Sequence, residues 1–192
     1  ENLGIETLFN GPESFTPDDN FQIGEAPELA NFYVAAGFNS IGIQAAGGAG
    51  KYLAEWIVSG EPPCDLWEVD IRRNQPFQNN KTYLANRVTE TLGYLYDNHY
   101  PYHQYETARG LRKTPLYEFY KDRGACFGEV AGWERANWFV PKEMIGKAEA
   151  KYEYSWGRQN WFEFQKLEQK AIRESVGVYE MSSYAKIRVK GS

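Results

Sequence analysis

The residues best suited to chemistry lie between Asn31 and Gly60, read as NFYVAAGFNSIGIQAAGGAGKYLAEWIVSG. An apolar run, Phe32 to Ala36, has the length of a buried strand. Gly37 and Gly42 follow it, where the absence of a side chain lets the backbone turn sharply and approach a ligand closely. From Gly42 onward Ile43, Ala46, Leu53, Ala54, Trp56 and Ile57 recur at helical spacing, until Gly60 and the Pro62, Pro63 pair stop the pattern. A helix that starts at such a turn aims free N–H groups and the positive end of its dipole at whatever sits there, which suits an anion. Gly47, Gly48 and Gly50 read more simply as places where the helix packs tightly on a neighbouring strand. The run GGAGK is no phosphate loop: Ala45 stands where the first glycine belongs, and Tyr52 follows Lys51 where Ser or Thr is needed. No G-x-G-x-x-G occurs either, so the pyrophosphate-binding turn of a dinucleotide domain is missing.

Other reactive side chains have plainer readings. Asp70, Arg72 and Arg73 could contact a cofactor, but a solvated charge cluster at a linker is favoured. Trp133, Trp138, Trp156 and Trp161 could line a channel, although aromatic residues at this density more often form core and domain contacts. Ser182 and Ser183 have no nearby histidine to activate them and are read as shaping a turn. His99 and His103 are spaced i, i+4, but Pro101 between them argues against one helical face, and with no cysteine cluster a zinc site would lack its usual ligands; no metal is expected. Cys64 and Cys126 lie far apart without metal-ligand spacing and are read as free, structural thiols.

The elements that must position these residues follow from texture. The first 60 residues are rich in Gly and Ala and give strand, turn, helix. From Asp65 to Lys113 the chain is polar and aromatic, with one helix expected from about Lys81 to Asn98 and a loop over Tyr100 to Tyr105. A short helical stretch beginning at Pro115 leads to Gly124 and an alternating segment, Ala125 to Ala131, expected as a strand. An aromatic loop then runs to Trp161, a helix covers Glu163 to Ser175 and is closed by Gly177, and Val178 to Val189 reads as extended structure broken near Ser182 and Ser183. The net charge of -5, with acids and bases interspersed and no basic run, gives no grip for nucleic acid. No stretch of about 18 apolar residues predicts a membrane span, and Glu1 to Leu8 lacks the pattern of a signal peptide.

Three consecutive blocks resemble one known family. ESFTPD (Glu13 to Asp18), IGEAPEL (Ile23 to Leu29), FNSIG with GGAGKYLAEWIVSGEP, and the DIRR of Asp70 to Arg73 resemble the end of the FAD domain in sarcosine and dimethylglycine dehydrogenases. Residues Asp65 to Arg112, including ETARGLR, are similar to the central linker domain of that family. TPLYEFYKDRGACFGEVAGWE (Thr114 to Glu134) and the stretch Ala171 to Gly191 resemble the opening of an aminomethyltransferase domain, as in the glycine-cleavage T-protein. The fold class this implies is α+β, a partial chain joining the end of an FAD-binding oxidoreductase domain (1–62), a small linker domain (63–112) and the start of an aminomethyltransferase-like, folate-binding domain (113–192).

The resemblance implies oxidation of an N-methyl group, as in sarcosine, dimethylglycine or a similar amine, by hydride transfer to flavin N5. The one-carbon unit of the resulting iminium would pass to tetrahydrofolate. FAD and tetrahydrofolate are thus the implied cofactors, and an electron-acceptor protein is an open partner. A reduced flavin is negative near N1 and the C2 oxygen, which matches the anion-suited turn. By the same resemblance Thr16, Pro17, Asp18, Asn39, Ser40, Gly42 and Ile43 are cofactor-binding, and Gln44 is the substrate-binding position. Monomeric sarcosine oxidases carry a lysine near there, and a neutral glutamine does not supply its charge. The implied compartment is cytoplasm in a bacterium or mitochondrial matrix in a eukaryote. The regulatory subunit of pyruvate dehydrogenase phosphatase shares the architecture and is the alternative, a binding protein in place of an enzyme. As an isolated piece the chain is expected to be inactive, with the Asn31 to Ala36 strand lacking its sheet neighbours.

Overall fold

The computed structural model describes residues 4–191, so the leader reading over Glu1 to Leu8 and the last residue of the 113–192 assignment fall partly outside the described residues. The chain divides into two compact units, Glu1–Asp97 and Asn98–Ser192. Its mixture of helices and short strands is the expected α+β class.

In the first unit, β1 (Gln22–Glu25) pairs antiparallel with β2 (Tyr33–Ala36), in the register Gln22 to Ala36 and Glu25 to Tyr33. The expectation that the Asn31 to Ala36 strand lacks a neighbour is therefore corrected: an acidic, proline-bearing stretch after Glu25 closes a hairpin onto it, with Ala26 N–H donating to the Phe32 carbonyl. Helix α1 (Gly42–Ser59) ends at Gly60 in the left-handed conformation, as the glycine there predicts. Its buried residues are Ala49 and Trp56, two turns apart on one face, with Ala45 and Leu53 partly buried. Gly47, Gly48 and Gly50 sit on other faces, and a Cβ added at any of them would meet nothing within 4 Å, so they do not mediate tight packing on a strand. The close approach is made elsewhere. Gly24 has φ +119°, and a Cβ there would lie 2.6 Å from the ring of Trp56, which is 2% exposed.

A 3-10 turn over Ile71–Arg73 straps onto β1, where Ile23 N–H donates to the Val69 carbonyl at 2.8 Å. Asp70 caps that turn through the Arg72 N–H and holds the Arg72 guanidinium, which lies over the Trp56 ring at 5.0 Å. Asp70 is buried, so it does not belong to a solvated cluster. The helix expected at Lys81 is α2 (Lys81–Tyr96), started by the Asn80 side chain accepting from the Thr82 and Tyr83 N–H groups.

In the second unit the strand expected at Ala125 is β4 (Ala125–Val130), and it forms a hairpin with β5 (Trp133–Phe139), a strand that falls inside the expected aromatic loop. Ala131 and Gly132 both have positive φ, the geometry of a two-residue hairpin turn. Short β3 (Arg112–Lys113) adds in parallel, giving the order β3-β5-β4. Helix α3 (Tyr117–Lys121) precedes the hairpin, and α4 (Phe162–Glu174) follows it. Val178 to Val189 carries no strand; Ser182 and Ser183 form the turn assigned to them.

The core of this unit is Cys126, Trp138, Val140 and Trp161, with Tyr152, Tyr154 and Phe164 packed around it. Trp138 and Trp161 are thus core residues, whereas Trp156 is largely exposed. Burial pushes the Cys126 thiol up to about 12, so it stays protonated, while Cys64 is free and exposed. His103 stacks on Tyr154 at 4.8 Å.

Beside the core, Glu134 on β5 is 3% exposed and takes two bonds from Arg109, at 2.9 and 2.6 Å, and one from the Gly110 N–H at 2.6 Å. Arg109 also reaches the Phe127 and Tyr105 carbonyls. Burial alone would raise the Glu134 carboxyl, but these hydrogen bonds and the Arg109 charge outweigh it and hold the group below its ordinary value.

Two measurable consequences follow from this packing. Gly24→Ala combines a left-handed backbone with a clash against Trp56 and should cost the first unit about 2–4 kcal/mol, read as a lowered urea midpoint with unchanged slope. Because the folded carboxyl of Glu134 titrates below its unfolded value, its contribution is complete above about pH 4.5 and is lost as pH falls through the depressed folded value. Unfolding of the second unit followed between about pH 3 and 6 should show that acid-side loss, and Glu134→Gln should flatten it while lowering stability at neutral pH by about 3 kcal/mol.

Candidate functional site

Two turns meet in the first unit. One is Pro17-Asp18-Asp19, where Asp19 takes a positive φ of 60°. The other runs from Gly37 to α1, with positive φ at Gly37, Asn39 and Ser40. Three left-handed residues in four make a tight reversal between β2 and α1, and Gly37 is needed twice over: a Cβ there would lie 2.6 Å from Thr16 Cγ2.

Thr16 and Asn39 join the turns. The Thr16 N–H donates to Asn39 Oδ1 at 2.7 Å, and Asn39 Nδ2 donates to Thr16 Oγ1 at 3.0 Å. The Thr16 hydroxyl donates on to the Asn20 carbonyl at 2.9 Å. Both residues are buried, at 4% and 1% exposure, and their side-chain polar groups are satisfied by each other and by the Asn20 carbonyl. Phe21 and Phe38 stack beside them at 4.9 Å, one ring from each turn's flank.

Asp18 is likewise committed. Arg73 grips it with two bonds, Nε to Oδ2 at 2.7 Å and Nη2 to Oδ1 at 3.0 Å, and donates from Nη2 to the Asn20 carbonyl at 2.7 Å. Pro17 is buried, and its carbonyl accepts from the Thr91 hydroxyl on α2 at 3.1 Å. Arg73, expected in a solvated charge cluster, instead has a side chain only 8% exposed and bound to Asp18, and Thr91 was given no role from the sequence. Their signal was absent there because nothing local marks an arginine 55 residues away in sequence as the partner of Asp18.

The remaining residues face outward. Ser40 is exposed and donates to Glu13 Oε2 at 2.7 Å; Ile43 is fully exposed, Gln44 exposed and Gly42 partly so. Ala45 N–H is the first to close an intrahelical bond, to the Ile41 carbonyl, which leaves the N–H groups of Gly42, Ile43 and Gln44 directed out of the helix end. Among the described residues no side chain caps this end, and its first turn holds no acidic residue. The end thus presents donors and a positive dipole to an electronegative group, which fits the pyrimidine edge of a flavin. The expected cofactor residues therefore fall into two groups, a set held by hydrogen bonds within the unit (Thr16 and Asn39 to each other, Pro17 to Thr91, the half-buried Asp18 to Arg73) and an open set (Ser40, Gly42, Ile43), with Gln44 beside the second. A cavity of about 400 Å³ touches Pro17 and is otherwise lined by residues such as Gln22, Asn74, Gln75 and Leu84.

Comparison with known proteins places these elements. The family model "FAD dependent oxidoreductase" matches residues 3–56, "FAD dependent oxidoreductase central domain" matches 59–114, and "GCVT N-terminal domain" matches 116–192. Both turns and most of α1 fall in the first match, and Arg73 and Thr91 in the second. A 4-methylaminobutanoate oxidase (formaldehyde-forming) of Paenarthrobacter nicotinovorans is 50% identical over 188 residues, 98% of this chain and 22% of that protein. The mitochondrial pyruvate dehydrogenase phosphatase regulatory subunit of Mus musculus is 39% identical over 98% of this chain and 21% of its own length. The mitochondrial sarcosine dehydrogenase of Mus musculus is 38% identical over 83% of this chain and 17% of its own. The chain thus spans about a fifth of the length of the curated relatives it matches. Three domain models match in consecutive order and homologues align along nearly the whole chain, so it is similar throughout to the part of the sarcosine and dimethylglycine dehydrogenases, and of their oxidase and regulatory-subunit relatives, that joins the FAD dependent oxidoreductase, central and GCVT N-terminal domains.

Proposed function

We propose that the native protein carrying this chain is an FAD-dependent dehydrogenase that oxidatively demethylates a small N-methyl amine. The observation that carries the reading is the open, uncapped start of α1 behind a locked double turn, within the segment that matches the FAD oxidoreductase model. FAD, when bound, supplies the two-electron acceptor. In this reading the Gly42, Ile43 and Gln44 N–H groups face the electronegative edge of the cofactor, Ser40 adds a hydroxyl, and Thr16, Pro17, Asp18 and Asn39 shape the surface beside them. Gln44 offers a neutral amide to the substrate's carboxylate, a weaker anchor than a charged side chain.

Sarcosine and dimethylglycine are the substrates considered first, and 4-methylaminobutanoate joins them because a 50% identical relative is named for it. Transfer of the one-carbon unit to tetrahydrofolate rests on the 116–192 match, and the proposed divisions at 62/63 and 112/113 lie within a few residues of the ends of the central-domain match at 59 and 114. The compartment follows the relatives, mitochondrial in the mouse and bacterial in the oxidase. The chain by itself is proposed to be inactive, since the pyrophosphate-binding turn is not in its sequence.

The direct test is a flavin spectrum of the purified native protein before and after each of the three amines, with free formaldehyde assayed in the presence and absence of tetrahydrofolate. Bleaching by one amine, with formaldehyde release suppressed by tetrahydrofolate, is the expected result. A protein without flavin would sink the dehydrogenase reading and favour the regulatory subunit, which aligns over 98% of this chain.

The helix end has its own test in Ile43→Asp. The side chain is fully exposed, and an acid in the first helical turn should stabilise α1 by about 0.5 kcal/mol. The same charge should weaken flavin binding by about tenfold, on the order of 1.4 kcal/mol, through repulsion. Opposite signs in the melting temperature of the flavin-free protein and in flavin affinity would locate the cofactor at this helix end, and unchanged affinity would place it elsewhere.

A further inference from the structure

We propose that Arg73 and Thr91, both in the central-domain segment, are positioning residues that set the flavin-side turn Thr16–Asp18 from behind. The inference rests on the reading of that turn as part of the cofactor surface.

The geometry is specific. The Arg73 side chain is 8% exposed and uses all three nitrogens of its planar fork: two bonds to the Asp18 carboxylate, one to the Asn20 carbonyl and one to the Asp70 carbonyl at 3.3 Å. A fork held at four points fixes direction as well as distance, which a lysine's single ammonium does not reproduce. Thr91 is 3% exposed and spends its hydroxyl on the Pro17 carbonyl, one residue before Asp18. The turn is therefore gripped on consecutive residues by two different elements, α2 and the 3-10 turn that is itself strapped to β1. Its third hold is the Thr16 and Asn39 pair, which ties it to the start of α1.

Neither Arg73 nor Thr91 belongs to the segment matched by the oxidoreductase model, residues 3–56, yet they act on that segment's loop. Their effect on chemistry runs through the placement of Thr16 to Asp18 relative to the α1 end, not through contact with substrate or cofactor. Small displacements of such a shell carry large kinetic costs.

The test uses the native protein, four single variants (Arg73→Lys, Arg73→Met, Thr91→Val and Asp18→Asn) and the double variant Arg73→Met with Asp18→Asn. Hydrogen exchange of the flavin-free protein is read over residues 13–22 and, as an internal control, over α1. Flavin affinity and the rate of flavin reduction by saturating amine are read on the loaded protein. Arg73→Met and Asp18→Asn should each speed exchange in the turn about tenfold or more and slow flavin reduction by about tenfold, and the double variant should be no worse than either single one. Arg73→Lys should keep the melting temperature near that of the parent yet retain the slowed reduction, a split that a merely structural role would not give. Thr91→Val should act in the same direction more weakly.

Faster exchange with unchanged flavin affinity and reduction would overturn the positioning role, as would additive effects of Arg73→Met and Asp18→Asn. Should the parent protein hold no flavin, the proposed function fails and the role fails with it, and the exchange data alone would then report whether the clamp exists.

Discussion

Trp56 occupies the space that a side chain at position 24 would need. That single exclusion organises the first unit. It brings α1 against β1, since the indole can seat only where the strand has no Cβ, and it places the ring under the Arg72 guanidinium. Arg72 is in turn held by Asp70, which caps the turn from which Arg73 projects. One aromatic contact thus fixes the line from helix to strand to 3-10 turn along which Asp18 is reached.

The second unit solves a different problem with the same means. Its core is a small aromatic cluster around Trp138 and Trp161, and a charged pair stands at its margin. Glu134 occupies an inward position of β5, and Arg109 satisfies it while collecting the Phe127 and Tyr105 carbonyls. A buried pair of this kind is weak evidence for net stabilisation, but losing one partner leaves an uncompensated charge. Through Arg109 it links Glu134 on β5 to the Phe127 carbonyl on β4, next to the bulge between Cys126 and Phe127.

The helices were legible because their boundaries are chemical. Gly42, Gly60 and Asn80 mark ends that the sequence announces: α1 begins at Gly42 and closes at Gly60, and α2 begins after Asn80. Strand β5 was not legible. Its inward residues are Glu134 and Trp138, so the apolar alternation that identifies a half-buried strand is broken by a carboxylate, and its Ala-Gly turn lacks the Asn-Gly or Asp-Gly signature. The glycines of GGAGK misled in the opposite direction, because small residues on an exposed helix face look the same in sequence as those at a tight contact. At the site, the turn residues were nameable from family likeness, but their division into held and open sets depends on Thr16 meeting Asn39 across 23 positions. Pairings of that span leave no local pattern.

That division bears on how such a surface can work. A cofactor edge that carries changing charge is best met by donors that cannot reorient, because reorganisation during the reaction would consume the stabilisation they provide. Backbone N–H groups at the start of α1 meet that condition only if the turn before the helix is itself immobile. Three left-handed residues between Gly37 and Ser40 would be a strained, soft connection if left alone. The Asn39 side chain turns that strain into a fixed geometry by spending both of its polar atoms on Thr16, and the Thr16 turn is anchored in its own right by Asp18 on Arg73. Thr16, Asn39 and Arg73 are therefore occupied with holding the two turns, and the backbone N–H groups at the start of α1 are left pointing in a direction that the fold has already determined.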